Sequence, residues 1–402
     1  MNDSLVALVK CDSYAPHIVE KAVRDGIALI GGIETILSPH EKVLLKPNIL
    51  KGAEPERAVT THPEVFRAVA KIVKEYASNV RYGDSPGDPI STMGSYKKSG
   101  IAQVAEELGI PVADFDHGKD CGFPEGVATK RLTIANAVLE SDAIISLPKL
   151  KTHGLTRMTG AIKNQYGCVP GMVKGQYHAQ FPDVFLFSKL LVDICRFVKP
   201  RLYVMDACVG MEGNGPQSGD PRKIGCLIIA TDPVAIDTVG CMLMNLDPSF
   251  VPPVVYGKEA GLGNCEREKI TIVGENINDY IVKDFDVVRK LPSKLPKSRI
   301  LGEIRRLFIP RPVIDKLKCV VCKKCIEVCP VDPKVLSMKQ SKREPQYDYR
   351  RCIRCYCCQE LCPAKAINIY EPKLKKMLPF LSYISLFLSN LYSRKASQKK
   401  GS

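Results

Sequence analysis

The chain is short of the signals that would assign it quickly. It has no P-loop, no G-x-G-x-x-G dinucleotide fingerprint and no G-x-S-x-G nucleophile elbow, which excludes the common phosphate-cradling and serine-hydrolase signatures. Its start, Met1-Asn2-Asp3-Ser4, lacks the basic patch and apolar run of a secretion signal, so a cytoplasmic setting is expected. An excess of either charge is missing from the first two-thirds: residues 1–282 hold 30 Lys/Arg against 33 Asp/Glu. So neutral a body argues against a nucleic-acid partner. At 402 residues, 45% hydrophobic and 25% charged, the chain has room for two domains and a sizeable core.

Cysteine, in contrast, is abundant, with 17 residues. Without an export signal these read as free or metal-binding thiols of a reducing compartment. Eight of them form two copies of C-x2-C-x2-C-x3-C-P: Cys319, Cys322, Cys325, Cys329 with Pro330, and Cys352, Cys355, Cys358, Cys362 with Pro363. This is the bacterial-type run for two [4Fe–4S] clusters, in which the fourth Cys of each run ligates the other cluster. The expected ligand sets are Cys319, Cys322, Cys325 and Cys362 for cluster 1, and Cys352, Cys355, Cys358 and Cys329 for cluster 2. Zinc favours paired C-x2-C knuckles over a triplet with a distant fourth Cys, and disulfides need an oxidising compartment. Cys357 falls outside the pattern and reads as a packed thiol.

The first 282 residues alternate short apolar strands (Leu5–Val9, Lys42–Leu45, Asn79–Tyr82, Val112–Phe115, Ala143–Leu147, Leu202–Met205, Cys226–Ala230) with amphipathic helices. The helices are expected near Ala15–Gly31, Pro63–Tyr76 (capped by Thr60 or Thr61), Met93–Leu108, Val184–Phe197 and Pro233–Met244. Such alternation implies right-handed crossovers and a doubly wound α/β domain with a mostly parallel sheet. Residues 283–315, with Pro292, Pro296, Pro310 and Pro312 among many Lys and Arg, read as a basic linker. A small α+β two-cluster ferredoxin domain is expected over 316–371, where Pro330–Met338 and Pro363–Tyr370 repeat one plan.

The densest polar stretch follows the Ala143–Leu147 strand. It runs through Lys149, Lys151, His153 and Arg157 to Lys163 and Asn164, and His178 lies beyond a glycine-rich loop. Four cations and two imidazoles beyond a strand end suit a cleft for a carboxylate or phosphate, with His153, Lys163 or His178 in the chemistry. A set of solvated surface lysines is the alternative. Lys46 and Asn48 also follow a strand and join the candidate binding residues Lys149, Lys151 and Asn164. Asp206, Glu212 and Asp237 are candidates for a hard cation, or are caps and turn residues. The stretch Leu147–Asn164, with Pro148-Lys149, Lys151-Thr152-His153, Thr159-Gly160 and Lys163-Asn164, resembles the signature of the family called domain of unknown function 362. Lys46-Pro47-Asn48, Gly83-Asp84-Ser85 and Asp232-Pro233-Val234-Ala235-Ile236-Asp237 fit it too. The resemblance implies a site at Lys149, Lys151, His153, Lys163 and Asn164, and it commonly comes with a C-terminal pair of ferredoxin clusters; it supplies no reaction.

From Lys283 onward the chain carries 28 Lys/Arg against 10 Asp/Glu, which suits an acidic redox partner or anionic lipid, or is simply a solvated surface. The tail 372–402 has apolar residues between Leu374 and Leu391 with basic residues at both ends. That run is shorter than the ~20 residues that span a bilayer, so residues 373–393 are expected either to lie at the inner membrane face or to pack on the body. Three functions follow as expectations: a ferredoxin-coupled oxidoreductase acting on an anionic substrate or a further metal or small cofactor, a non-catalytic electron carrier, or a metal-binding α/β domain with sensing or structural clusters.

Overall fold

Residues 3–87, 91–292, 309–340 and 342–371 are described by a computed structural model. In chain order the strands are β1 (Ser4–Lys10), β2 (Lys42–Pro47), β3 (Asn79–Tyr82), β4 (Gly118–Gly122), β5 (Arg131–Ala135), β6 (Ala143–Leu147), β7 (Lys149–His153), β8 (Arg157–Thr159), β9 (Leu202–Glu212), β10 (Asp220–Ala230), β11 (Ile270–Gly274), β12 (Arg311–Ile314), β13 (Leu336–Ser337), β14 (Gln346–Tyr347) and β15 (Ile367–Tyr370). The main sheet runs β11-β1-β10-β9-β6-β2-β3, with β7 paired to β9 and β8. Its β2–β3, β2–β6, β6–β9, β7–β9 and β1–β11 pairs are parallel. Only β10 and β8 run against their neighbours.

The period-two alternation of strand side chains decides the layering. Val6, Leu8, Leu44, Ile144, Met205 and Ile228 enter one core, against the helices Val184–Val198 and Pro233–Leu243. Ala7, Val9, Val43, Leu45, Val204 and Ile229 enter the other, against Pro16–Leu29 and Pro63–Tyr76. Both faces are covered, so the body is a doubly wound α/β/α domain.

Several local expectations are corrected. The Pro63 helix is capped by His62, whose Nδ1 accepts from the Glu64 amide at 3.2 Å; Thr61 Oγ1 instead bonds the Leu147 carbonyl. The Met93–Leu108 helix is two helices, Thr92–Lys98 and Ile101–Glu107, parted where Gly100 takes a φ of 76°. The Val112–Phe115 strand is reduced to one bridge from Val112 to Tyr82. Neither described end of the expected linker behaves as one. Phe285 and Val287 are buried in the core of the body, and Arg311–Ile314 pairs with Ile367–Tyr370 inside the ferredoxin module. The middle of that segment and the tail 373–393 lie outside the described residues.

The ferredoxin module repeats itself at a spacing of 33 residues. Val321 and Lys323 have φ of 56° and 61°, and Arg354 and Tyr356 have 59° and 64°. Left-handed residues at these places let each loop curl around a central void. The Cys319 amide bonds the Asp315 carbonyl, as the Cys352 amide bonds that of Asp348. One-turn helices, Lys324–Glu327 and Cys357–Glu360, follow the loops.

Candidate functional site

The carboxyl ends of β2, β3, β6 and β9 share one edge of the sheet, where open α/β sheets place their ligands. Here the expected lysines are found, but they are not free. Lys46 pairs with Asp84 at 2.8 Å and also bonds Asn164 Oδ1 at 3.1 Å. Lys149 pairs with Asp206 at 2.7 Å and bonds the Tyr14 hydroxyl at 2.9 Å. Lys151 donates to Asn48 Oδ1 at 2.7 Å and to the Val59 carbonyl at 2.6 Å. Each is at most 1% exposed, so the expectation of an open lysine-lined cleft is corrected. Buried polar groups need partners: Lys46 and Lys151 are held in a polar network with Asn48 and Asn164, and Lys149 is held apart from it by Asp206 and Tyr14. Gly167 seals it: a Cβ there would lie 1.9 Å from Asp84 Oδ1 and 2.7 Å from Lys46 Nζ.

The hard-cation trio is likewise dispersed. Asp206 is bound to Lys149, Tyr14 and the His62 amide. Glu212 faces Arg222 and the Asp286 amide. Asp237 accepts from the Ala161 and Ile162 amides at 2.5 and 3.1 Å, holding the one-turn helix Ala161–Asn164. Among the described residues no three His, Cys, Asp or Glu side chains converge as on a single metal ion.

The remaining candidates do come together, and on a residue of the other module. His153 ends β7, and its Nδ1 accepts from the Leu155 and Thr156 amides at 3.0 and 3.3 Å. That fixes the ring hydrogen on Nε2, which lies 3.0 Å from Glu360 Oε1. The two atoms are close but poorly aligned, and neither has another hydrogen-bond partner. Lys163 and His178 also act on Glu360. Lys163 Nζ lies 6.0 Å from the Tyr166 ring centre, and His178 stacks on Phe187 at 4.4 Å and meets the Tyr166 edge at 5.6 Å. Among the described residues Lys163 forms no hydrogen bond or ion pair.

Burial sets the charges. It pushes His153 and His178 down to about 4, with Lys163 adding to the effect and Glu360 opposing it, so both rings are neutral at pH 7. It also lowers Lys163, again against Glu360. Burial would raise Glu360, but His153, Lys163 and His178 outweigh it and hold the carboxyl at about 2. At pH 7 the site therefore holds a carboxylate and two neutral imidazoles beside Lys163. Glu360 and Cys357, which also faces Lys163 and Tyr166, went unnoticed in the sequence because they lie between cluster cysteines. The K-x-K-x-H alternation, a strand signal, could have placed Lys149, Lys151 and His153 on one face.

In the ferredoxin module one cavity is lined by Cys319, Cys322, Cys325 and Cys362, and another by Cys329, Cys352, Cys355 and Cys358. Soft thiols in an apolar shell of Ile314, Ala366, Val335 and Leu336 fit an iron–sulfur cluster. Each thiol of a cubane meets its own iron, so four thiols ring a void instead of converging on a point. Cys322 is exposed, whereas Cys355 is buried on the side of the body, near Tyr166. The module is gripped by the loop between β9 and β10. Gln359 Nε2 donates to Asn214 O and Oδ1 at 3.0 and 2.8 Å, Asn214 Nδ2 to the Ile367 carbonyl at 3.1 Å, and Gln217 Nε2 to the Cys362 carbonyl at 3.3 Å. Beside His153 a cleft of about 280 Å³ opens between the modules, bordered by Arg157, Arg354 and Tyr356.

Comparison with known proteins agrees with this division. The thylakoid-associated protein sll1697 of Synechocystis is 34% identical over 314 residues, 78% of this chain and 97% of that protein. Among solved structures, the lactate racemase apoprotein of Thermoanaerobacterium thermosaccharolyticum matches at 12% identity and a TM-score of 0.40, over 60% of this chain and 57% of its own. A Thermotoga maritima protein matches at 12% identity and 0.35, over 60% and 61%. The domain of unknown function DUF362 matches residues 43–242, and a 4Fe-4S dicluster domain matches 318–366. The chain is a member of the DUF362 family that carries a 4Fe-4S dicluster domain behind its α/β body.

Proposed function

We propose that this iron–sulfur protein is a ferredoxin-coupled oxidoreductase, in which electrons pass between the clusters and an anionic substrate held at Lys163, His153 and His178. The observation that carries the reading is the insertion of the Cys357–Glu360 helix, flanked by cluster cysteines, into that site, with Glu360 3.0 Å from His153. One-electron transfer is the chemistry that [4Fe–4S] clusters supply. Cluster 1 would take Cys319, Cys322, Cys325 and Cys362, and cluster 2 Cys329, Cys352, Cys355 and Cys358. Lys163 is the available cation for the substrate's charge, and neutral His153 presents an Nε2–H as a hydrogen-bond donor. Tyr166 and Phe187 form an aromatic wall beside His178 and Lys163.

The test is stopped-flow reoxidation of dithionite-reduced protein with a panel of anionic acceptors. Lys163→Met and His153→Ala are expected to slow reoxidation by one active acceptor at least tenfold with cluster content unchanged. Equal rates with every acceptor would rule the reading out.

A second reading, an electron carrier docking on an acidic redox partner or a membrane complex, has its own support. Leu317 and Val320 are 98% and 63% exposed beside the exposed Cys322, with Lys316, Lys318 and Lys323 exposed around them. The Synechocystis relative is named as thylakoid-associated, and no described helix of this chain is long and apolar enough to cross a membrane. If Lys316→Glu, Lys318→Glu and Lys323→Glu together left reduction by an acidic flavodoxin unchanged at low salt, this docking face would be excluded.

A further inference from the structure

We propose that the Lys163–His153–His178 pocket is a carboxylate-binding site in which Glu360 is an intramolecular occupant, and that a small-molecule carboxylate enters by taking its place. The inference rests on reading these three residues as the substrate site, and it names both the ligand class and the group that guards the site.

Three observations on the body carry it. First, the His153 donor is set by the fold: two backbone amides occupy Nδ1, so the ring hydrogen sits on Nε2, 3.0 Å from the Glu360 carboxylate. Second, Lys46, Lys149 and Lys151 all have partners within the body, whereas Lys163 forms no hydrogen bond or ion pair among the described residues, and the carboxylate near it comes from the other module. Third, the fit of Glu360 is incomplete. Its Oε1 and His153 Nε2 are buried without an aligned hydrogen bond, and leaving such groups unpaired is costly. A free carboxylate, without a chain to constrain it, can align with His153 and meet Lys163 directly.

The occupant is built so that its departure is felt. Glu360 stands two residues from Cys358 and two from Cys362, cysteines that line different cavities. The neighbouring Gln359 makes the hydrogen bonds to Asn214 and Gly215 that dock the module. Displacement of Glu360 therefore pulls on the docking loop and on the walls of both cavities.

The test uses chemical complementation of the full chain with its clusters oxidised. Glu360→Ala deletes a CH2 and a carboxylate, which is the size and charge of acetate. The variant is expected to unfold at a lower temperature than wild type. Acetate, but not equimolar chloride or neutral acetamide, should restore several degrees in a saturable manner, and Lys163→Met in the same chain should abolish that recovery. Wild type should respond at least tenfold more weakly. Equal acetate responses in wild type and variant, or recovery by acetamide, would overturn the proposal. If Glu360→Ala does not assemble its clusters, Glu360→Gln is measured. It keeps the volume, so it should show no acetate response yet faster hydrogen exchange in the Cys357–Glu360 helix than wild type, and unchanged exchange would overturn the proposal. Because the readout is binding without turnover, it fails or succeeds independently of the electron-transfer assay.

Discussion

At the scale of single residues, two groups make quantitative tests. Tyr347 donates its hydroxyl to Cys358 Sγ at 3.2 Å, and hydrogen bonds to cluster sulfurs stabilise the more negative, reduced state. Tyr347→Phe is expected to lower the potential of cluster 2 by about 20–60 mV, the one-electron equivalent of a hydrogen bond worth about 0.5–1.5 kcal/mol. Potentiometric titration followed by electron paramagnetic resonance checks it. Asp237 is the second group. Burial, opposed by the Ala161 and Ile162 amides, pushes its carboxyl up to about 7, against about 3.9 in an unfolded chain. Between those values the native state keeps a proton that the unfolded state has released. Its contribution to stability is therefore largest below pH 4, falls as pH rises through 7 and is level above. The thermal midpoint of wild type minus that of Asp237→Asn should decline from pH 4 to pH 7; a constant difference would contradict this.

At the scale of elements, the docking contact is the informative case. Gln359 is fully buried and its amide serves three acceptors on Asn214 and Gly215. Gln359→Leu keeps the bulk and strands those acceptors, at about 1–3 kcal/mol for a buried group. Hydrogen exchange in the Cys357–Glu360 helix is expected to rise while the helices of the body stay protected. Most of the body's elements were legible beforehand. Asn79–Tyr82, Ala143–Leu147 and Pro63–Tyr76 were read with their observed ends, because apolar runs and a first-turn proline are local signals. The β7–β8 hairpin was not, since Lys149, Lys151 and His153 are polar on the face they bury. Charge alone could not show that Asp84, Asp206 and Asn48 would consume the lysines, because such pairing depends on elements brought together over the sheet edge.

For the whole molecule, cysteine spacing indicated which eight thiols belong together, since the pattern is a local code. It could not reveal that the module turns Glu360, Gln359 and Cys357 toward the body, because nothing local encodes a docking face. That geometry makes the two modules thermodynamically dependent. The loop that holds the ferredoxin joins β9 to β10, and those strands sit at the centre of the main sheet. The colour of the clusters thus becomes a gauge of the body's integrity. Leu190, fully buried in the Val184–Val198 helix far from the cluster cysteines in sequence, illustrates the point. Leu190→Ala removes about 2–5 kcal/mol of packing, and the brown chromophore of that variant should bleach severalfold faster in air.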